Sequence, residues 1–400
     1  MLKSKHKIFN VSVIFTCALI TSELCAESLG TQGTISNRDF FASPRAEAMS
    51  GAISTSANGM DSLYYNPAAI GGIFWGSKKP PAIRQLYFPF IGVSANNNSQ
   101  KLWNRLSEVQ ADSNPDAAEA LIDDNQDKRQ YARVTSGVYT EIFRTAILLN
   151  SDLQFSAVNS SENTKDPQTD SNTLNVNYES TSISGFGVSG STSDESLYFG
   201  VFIAQTDKTI YDDQITYKDL INIEARENIL SSNSTTYEGI YTTAGMLMKL
   251  DTKTRSVLSL VARGVGETAL TYKSGKTPSG GLTSGYELGR DITAGYSITP
   301  RVFGGELSWS LDLRYLNLED IELEKKVFTA LEYTLGGVAN DAFLAIRLGA
   351  SPAGMSSGLK VGTGLLNFEV SMAKVLSSDS EKLTFEDRRT IQVYVNVRDM

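Results

Sequence analysis

An all-β fold is predicted: a transmembrane antiparallel β-barrel of about 14 strands. Three observations predict it. The chain opens with an export leader. It then runs through short segments in which apolar and polar residues alternate strictly. The links between those segments alternate between long and short.

The leader comes first. Lys3, Lys5 and Lys7 form a basic start, an apolar run extends from Ile8 to Ile20, and Ala26 ends a cleavage site. Residues 1–26 are expected to be a signal peptide, although Leu24 is bulkier than usual at its position. The alternative, an uncleaved anchor, would need a longer apolar run. Cys25 hints at lipidation, but Leu24 before it is too bulky for the usual signal. Both cysteines, Cys17 and Cys25, and the one histidine, His6, lie in this leader. The remainder therefore has no disulfide framework and no histidine-relayed nucleophile. It reads as a non-enzyme, with no cofactor and no metal site implied. The net charge of −9 argues against a nucleic-acid partner. No later apolar run reaches the roughly 18 residues of a spanning helix, so a membrane-bound form has to be a closed barrel. The expected location is the outer membrane of a Gram-negative bacterium, with outer-membrane lipid as a partner.

Alternation is clearest in Glu306–Tyr315, where Leu307, Trp309, Leu311, Leu313 and Tyr315 oppose Glu306, Ser308, Ser310, Asp312 and Arg314. Ile391, Val393, Val395 and Val397 oppose Gln392, Tyr394 and Asn396. Phe368, Val370 and Met372 oppose Asn367, Glu369 and Ser371, and Leu344, Ile346 and Leu348 oppose Ala345 and Arg347. Strands are expected near 83–93, 131–141, 144–158, 174–189, 196–206, 236–250, 255–266, 285–298, 302–316, 326–336, 341–349, 356–365, 366–376 and 389–398.

A soluble sandwich also alternates, so the links decide between the two folds. Long links are expected at 94–130, 159–173, 207–235, 267–284, 317–325, 350–355 and 377–388, with short turns between. Long loops on one side and tight turns on the other, with an even strand count, belong to an outer-membrane barrel. Within 94–130, Leu102, Leu106 and Val109 share a helical face, and Ser113-Asn114-Pro115-Asp116 reads as a helix start. This insertion reads equally as a lid at the barrel mouth or as a folded loop shielding its rim. The 159–172 loop is almost wholly polar.

Before the first strand lies a segment of small residues, Arg45-Ala46-Glu47-Ala48-Met49-Ser50-Gly51-Ala52, followed by Asp61 and by Tyr64-Tyr65-Asn66-Pro67-Ala68. It resembles the N-terminal signature of the FadL-like outer-membrane transporter superfamily. That group includes channels for long-chain fatty acids and aromatic hydrocarbons, PorV-like secretion proteins and TraF-like proteins of conjugation operons. The resemblance implies a barrel plugged by its own N-terminal hatch. It divides the chain into a signal peptide (1–26), a hatch (27–80) and a barrel (81–400). A lumen of 14 strands is too wide for its own side chains to fill, and small residues let a plug approach the wall. Arg45, Gly51, Asp61, Tyr64, Tyr65, Asn66, Pro67 and Ala68 carry the motif. One departure is the C-terminus, Val397-Arg398-Asp399-Met400, which lacks the closing aromatic residue.

Arg314, Arg347, Glu306, Asp312 and Glu369 face the expected lumen and are candidate ligand-binding residues. In the fatty-acid members a basic group would hold a carboxylate headgroup, a role open to Arg314 and Arg347. The plainer reading is a polar wall in which these charges pair with one another. Asp123-Asp124 and Asp212-Asp213 read as solvated charge rather than as calcium sites, and Gly264-Val265-Gly266 and Gly362-Thr363-Gly364 as strand-end glycines. Two functions stay open. The first is passive uptake of hydrophobic small molecules such as long-chain fatty acids or hydrocarbons. The second is a non-transporting accessory role beside a secretion or conjugation protein.

Overall fold

The computed structural model describes residues 43–72, 85–99, 129–158, 173–216, 219, 224, 228–229, 232–266, 269–276, 286–287, 290–319, 321–336, 343–363, 365–379 and 382–397. The leader, the helical face expected at 102–116 and the polar loop 159–172 lie outside these residues.

The chain closes into a 14-stranded antiparallel barrel. The strands are β1 Gln85–Asn96, β2 Gln130–Ile142, β3 Thr145–Val158, β4 Thr173–Ser191, β5 Leu197–Thr216 and β6 Thr235–Asp251. Strand β7 has two parts, Ser256–Arg263 and Ala269–Gly275, and β8 has three, Tyr286–Glu287, Asp291–Ile298 and Arg301–Val302. There follow β9 Gly305–Leu313, β10 Val327–Leu335, β11 Leu344–Ser351, β12 Gly354–Gly362, β13 Leu366–Asp379 and β14 Lys382–Val397. The last two parts of β8 are one strand, because Ala294↔Leu313 and Arg301↔Glu306 keep the same register against β9. Each strand pairs with the next, and β1 closes on β14 from Leu86↔Val397 to Asn96↔Arg388. Among the described residues no sheet edge is left open, which is what a strand-built membrane protein requires.

Burial is inverted relative to a water-soluble protein. Large apolar side chains such as Ile91, Val93, Leu149, Phe186, Ile203, Ile346, Phe368 and Ile391 point outward and are exposed, while Thr135, Asn150, Ser310, Arg347, Glu369 and Gln392 are buried inside. This is the pattern of a wall facing lipid outside and polar groups inside. The alternation read in 344–348, 367–372 and 391–397 holds position by position.

Three expectations need correction. Tyr315 does not continue the outward row of β9. The strand ends at Leu313, Tyr315 takes a left-handed φ of 60°, and its ring turns in against Phe328 at 6.1 Å. The links expected at 350–355 and 377–388 are tight instead of long: Pro352-Ala353 turns β11 into β12, and β13 and β14 run on to Asp379 and from Lys382. Likewise β5 continues past 206 to Thr216. The longer strands share one reason. Above the lipid a strand needs no apolar face, so polar residues such as Asp207, Lys208 and Asp212 extend it without breaking it. At the other end the turns are short, as expected. Phe303 and Gly304, both at positive φ (51° and 81°), make the two-residue hairpin between β8 and β9.

Residues 43–72 lie against the inner wall. They form α1 Pro44–Ala48, α2 Met60–Tyr65 and a 3-10 turn Pro67–Ala69. Ser43 caps α1 by accepting from the Ala46 N–H at 3.0 Å, with Pro44 opening the helix. Nearly every residue of this segment is buried. The wall meets it with glycine. A Cβ on Gly200 would lie 2.2 Å from the Pro67 carbonyl carbon, and one on Gly349 would lie 2.6 Å from that of Met49.

The inner wall at this depth is uneven. Tyr87, Phe90, Tyr139, Leu148, Ile183, Tyr198, Phe202, Leu247 and Val257, from β1 to β7, supply most of one apolar cluster with Leu63, Tyr64 and Ile70 of the segment, which also takes in Tyr315, Phe328 and Ala330 near β9 and β10 and Tyr394 of β14. From β8 to β13 the inward residues include Ser297, Ser310, Asp312, Glu332, Arg347, Ser356, Lys360, Glu369 and Ser371.

Candidate functional site

The candidate site is the contact between residues 43–72 and the polar half of the wall. Arg45 is its centre, 2 % exposed. Its Nε and Nη2 donate to the two Glu332 oxygens at 3.0 and 2.9 Å, a bidentate pair. Nη2 also donates to the Ser56 carbonyl at 3.0 Å, and Nη1 lies 3.6 Å from Asp61. Arg347 donates to Glu332 and to Glu369, each at 2.8 Å, and the Tyr394 hydroxyl donates to Glu369 at 2.8 Å. Lys360 acts electrostatically on Glu369. Cations Arg45, Arg347 and Lys360 thus balance anions Asp61, Glu332 and Glu369 in one buried network. Around it Glu47 accepts from the Ser371 hydroxyl at 2.8 Å, the Ser356 hydroxyl donates to the Ala48 carbonyl at 2.8 Å, and Asp312 accepts from the Ser54 N–H and hydroxyl at 2.9 and 2.7 Å.

The rest of the motif is placed by the same segment. Gly51, at φ +79°, leaves room for Arg314: a Cβ there would sit 2.5 Å from its Nη1. Tyr64 meets Phe202 edge-on at 5.6 Å, and the Tyr65 ring lies 5.5 Å from the Arg263 guanidinium. Asn66 is extended (φ −166°), as the following proline dictates. Its Oδ1 accepts from the Ala68 N–H at 3.1 Å, and its Nδ2 donates to the Ser54 carbonyl at 2.9 Å and to the Met246 carbonyl at 3.3 Å. Pro67 starts the 3-10 turn, and fully buried Ala68 rests beside Gly200.

Of the five lumen candidates, Arg347, Glu369 and Asp312 belong to this contact. Arg314 lies beside it, between the rings of Tyr315 and Phe328 at 5.0 and 4.9 Å. Glu306 does not belong. It sits at the short-turn end, paired with Arg255 at 2.5 Å and Arg301 at 3.5 Å. The sequence reading missed Glu332, although its inward place in the alternating run Val327–Leu335 carries the same signal as Glu369. It also missed Lys360 and the wall glycines, whose role depends on what approaches them.

Asp61 is the strained member. Its Oδ1 and the Arg45 Nη1 are buried without a hydrogen-bond partner. Both residues line a cavity of about 20 Å³ that they share with Tyr87, Glu369 and Tyr394, enough for one water. Burial pushes the Asp61 carboxyl up to about 6, with Arg45 pulling the other way. The sign follows. Between about pH 4 and pH 6 the seated segment keeps a proton that the released segment has lost. Seating is therefore strongest at low pH and weakens as pH rises through 6, by an amount on the order of 3 kcal/mol. Protease protection of residues 43–72 is expected to fall from pH 5 to pH 7, and Asp61→Asn is expected to flatten that dependence. A wild-type profile that is flat, or that rises with pH, would refute the assignment.

No known family's sequence profile matches the chain, and no characterised protein matches it by sequence. Solved structures do match in shape. The toluene transporter TodX of P. putida aligns over 89 % of this chain and 97 % of its own, at 10 % identity and a TM-score of 0.44. The toluene transporter TbuX of Ralstonia pickettii covers 90 % and 99 % at 9 % identity and a TM-score of 0.47. The CymD monoaromatic hydrocarbon channel covers 89 % and 97 % at 10 % identity and a TM-score of 0.47. At such identity the likeness is one of fold.

Proposed function

We propose that the protein is an outer-membrane channel for passive uptake of apolar, uncharged small molecules, with residues 43–72 as its plug. One observation supports this reading above the others. Beyond the segment, toward the end with the long links, the inner wall carries an aromatic patch made of Tyr237, Tyr241, Leu270 and Tyr286. The Tyr237 and Tyr286 rings lie 5.8 Å apart, and the Lys208 ammonium sits 4.7 Å from the Tyr286 ring. Tyr241 stands on β6 four residues before Gly245, where Asn66 is seated, so the patch begins roughly 13 Å from the plug. An aromatic surface facing the lumen gives an apolar molecule a first resting place out of water.

The charge balance favours neutral molecules over acids. A carboxylate headgroup needs an uncompensated cation, and Arg347 already serves two carboxylates. We therefore assign Arg347, Asp312 and Glu369 to holding the plug, and Arg314 to packing beside it.

The test is uptake by vesicles containing the purified protein, with a radiolabelled monoaromatic hydrocarbon and a long-chain fatty acid as probes. The hydrocarbon is expected to enter faster than into protein-free vesicles, and the fatty acid is not. Tyr237→Ala with Tyr286→Ala is expected to slow hydrocarbon entry about tenfold, the loss of roughly 1.4 kcal/mol of binding. No uptake of either probe would sink the transport reading in favour of an accessory role.

A further inference from the structure

Resting on that reading, we infer that an apolar molecule passes the plug on one side only, along its seam with β3–β5, while the side facing β8–β13 stays shut. The two sides differ in what must be broken. On the polar side the plug is tied by Arg45 to Glu332, by Glu47 to Ser371, by Ser54 to Asp312 and by Ala48 to Ser356. A molecule without polar groups that entered there would strip buried charges of their partners and return nothing, the costliest exchange available in a closed site. On the other side Leu63 and Ile70 of the plug face Leu148, Ile183 and Phe202. An apolar guest there replaces apolar contacts with its own, and the flexible ends of Leu63 and Ile70 can swing to admit it.

Gly187 faces the lumen with no side chain, and a Cβ built on it would meet the Ile70 Cδ1 and Leu63 Cδ2 tips, each at 2.6 Å, with the Phe202 ring behind them at 3.7 Å. Elsewhere the wall glycines meet plug backbone or a short side chain: Gly200 of β5 lies against Pro67, Gly349 against Met49 and Ser50, and Gly358 against the Ala48 methyl, so the seam opens at Gly187 and not along the whole of β5. The seam ends where the Ser189 hydroxyl donates to the Ile70 carbonyl at 2.5 Å and the Gly71 N–H donates to Glu141 at 2.9 Å.

The experiment uses the full chain in vesicles with the radiolabelled monoaromatic probe. Gly187→Val fills the seam with a residue suited to a strand and is expected to slow uptake at least tenfold. Leu63→Ala widens the seam and is expected to speed it severalfold. Ser356→Ala removes one tie on the polar side and is expected to change the rate far less than either seam variant. Heat-modifiable gel mobility checks that each variant is a folded barrel; should Gly187→Val fail to fold, Leu63→Ala still decides. Uptake that is unaffected by both seam variants, or that rises more in Ser356→Ala than in Leu63→Ala, overturns the route while leaving the channel reading intact. Absence of uptake by the wild type overturns the channel reading, and the route with it.

Discussion

Replacing Arg45 with Ala is expected to unseat residues 43–72 while leaving the barrel closed. The guanidinium is buried and serves Glu332, the Ser56 carbonyl and Asp61 together. Its removal leaves a buried excess of negative charge, a change that costs about 3–5 kcal/mol. The lower end applies where Asp61 takes up a proton in compensation, which its raised titration allows. At pH 7 the segment in the variant is expected to become open to protease, while the strands keep the heat-modifiable mobility of a barrel. Adding Asp61→Asn restores the charge balance and is expected to recover at least half of the protection. A fully protected segment in Arg45→Ala would show that the apolar side alone holds it.

Deleting residues 43–72 is expected to give the largest functional change, a stable open pore. The barrel survives because its wall charges balance without the segment: Arg347 and Lys360 remain beside Glu332 and Glu369. The lumen cannot refill itself, since inward Gly187, Gly200, Gly245, Gly349 and Gly358 carry no side chains and a wall of 14 strands encloses more space than side chains span. Planar-bilayer recordings are expected to show long-lived, ohmic conductance steps absent from the full chain. Equal conductance with and without the segment would mean that it does not close the lumen.

How much of this was legible beforehand follows from the physics of each part. Lipid on one side and a polar lumen on the other impose a period of two, so Ile346 against Arg347 and Phe368 against Glu369 could be read directly. Where lipid ends, the constraint ends too. The continuation of β5 through Asp207 and Lys208 and of β13 to Asp379 had no apolar row to announce it. Tyr315 was misplaced because a left-handed residue reverses a side chain without altering the composition around it. Arg347 and Glu369 were recognisable as inward charges, but Arg45, which joins them through Glu332, lies 287 residues from Glu332 in sequence and no periodicity links the two. Wall glycines such as Gly200 are silent for the same reason: their meaning is the Pro67 carbonyl opposite.

The closure of β1 on β14 has a consequence for how the molecule is made. This pairing joins Leu86 to Val397, the two ends of the sheet, and contacts so distant along the chain form last. Residues 43–72 are then already present, and once the seam zips there is no opening through which a segment bonded to β2, β4, β6, β7, β9, β10, β12 and β13 could be threaded. The segment is therefore expected to be enclosed as the sheet curls, not inserted into a finished barrel. A segment that has lost its contacts is therefore shut inside a finished barrel as a loose tether, and no later step can seat it from outside.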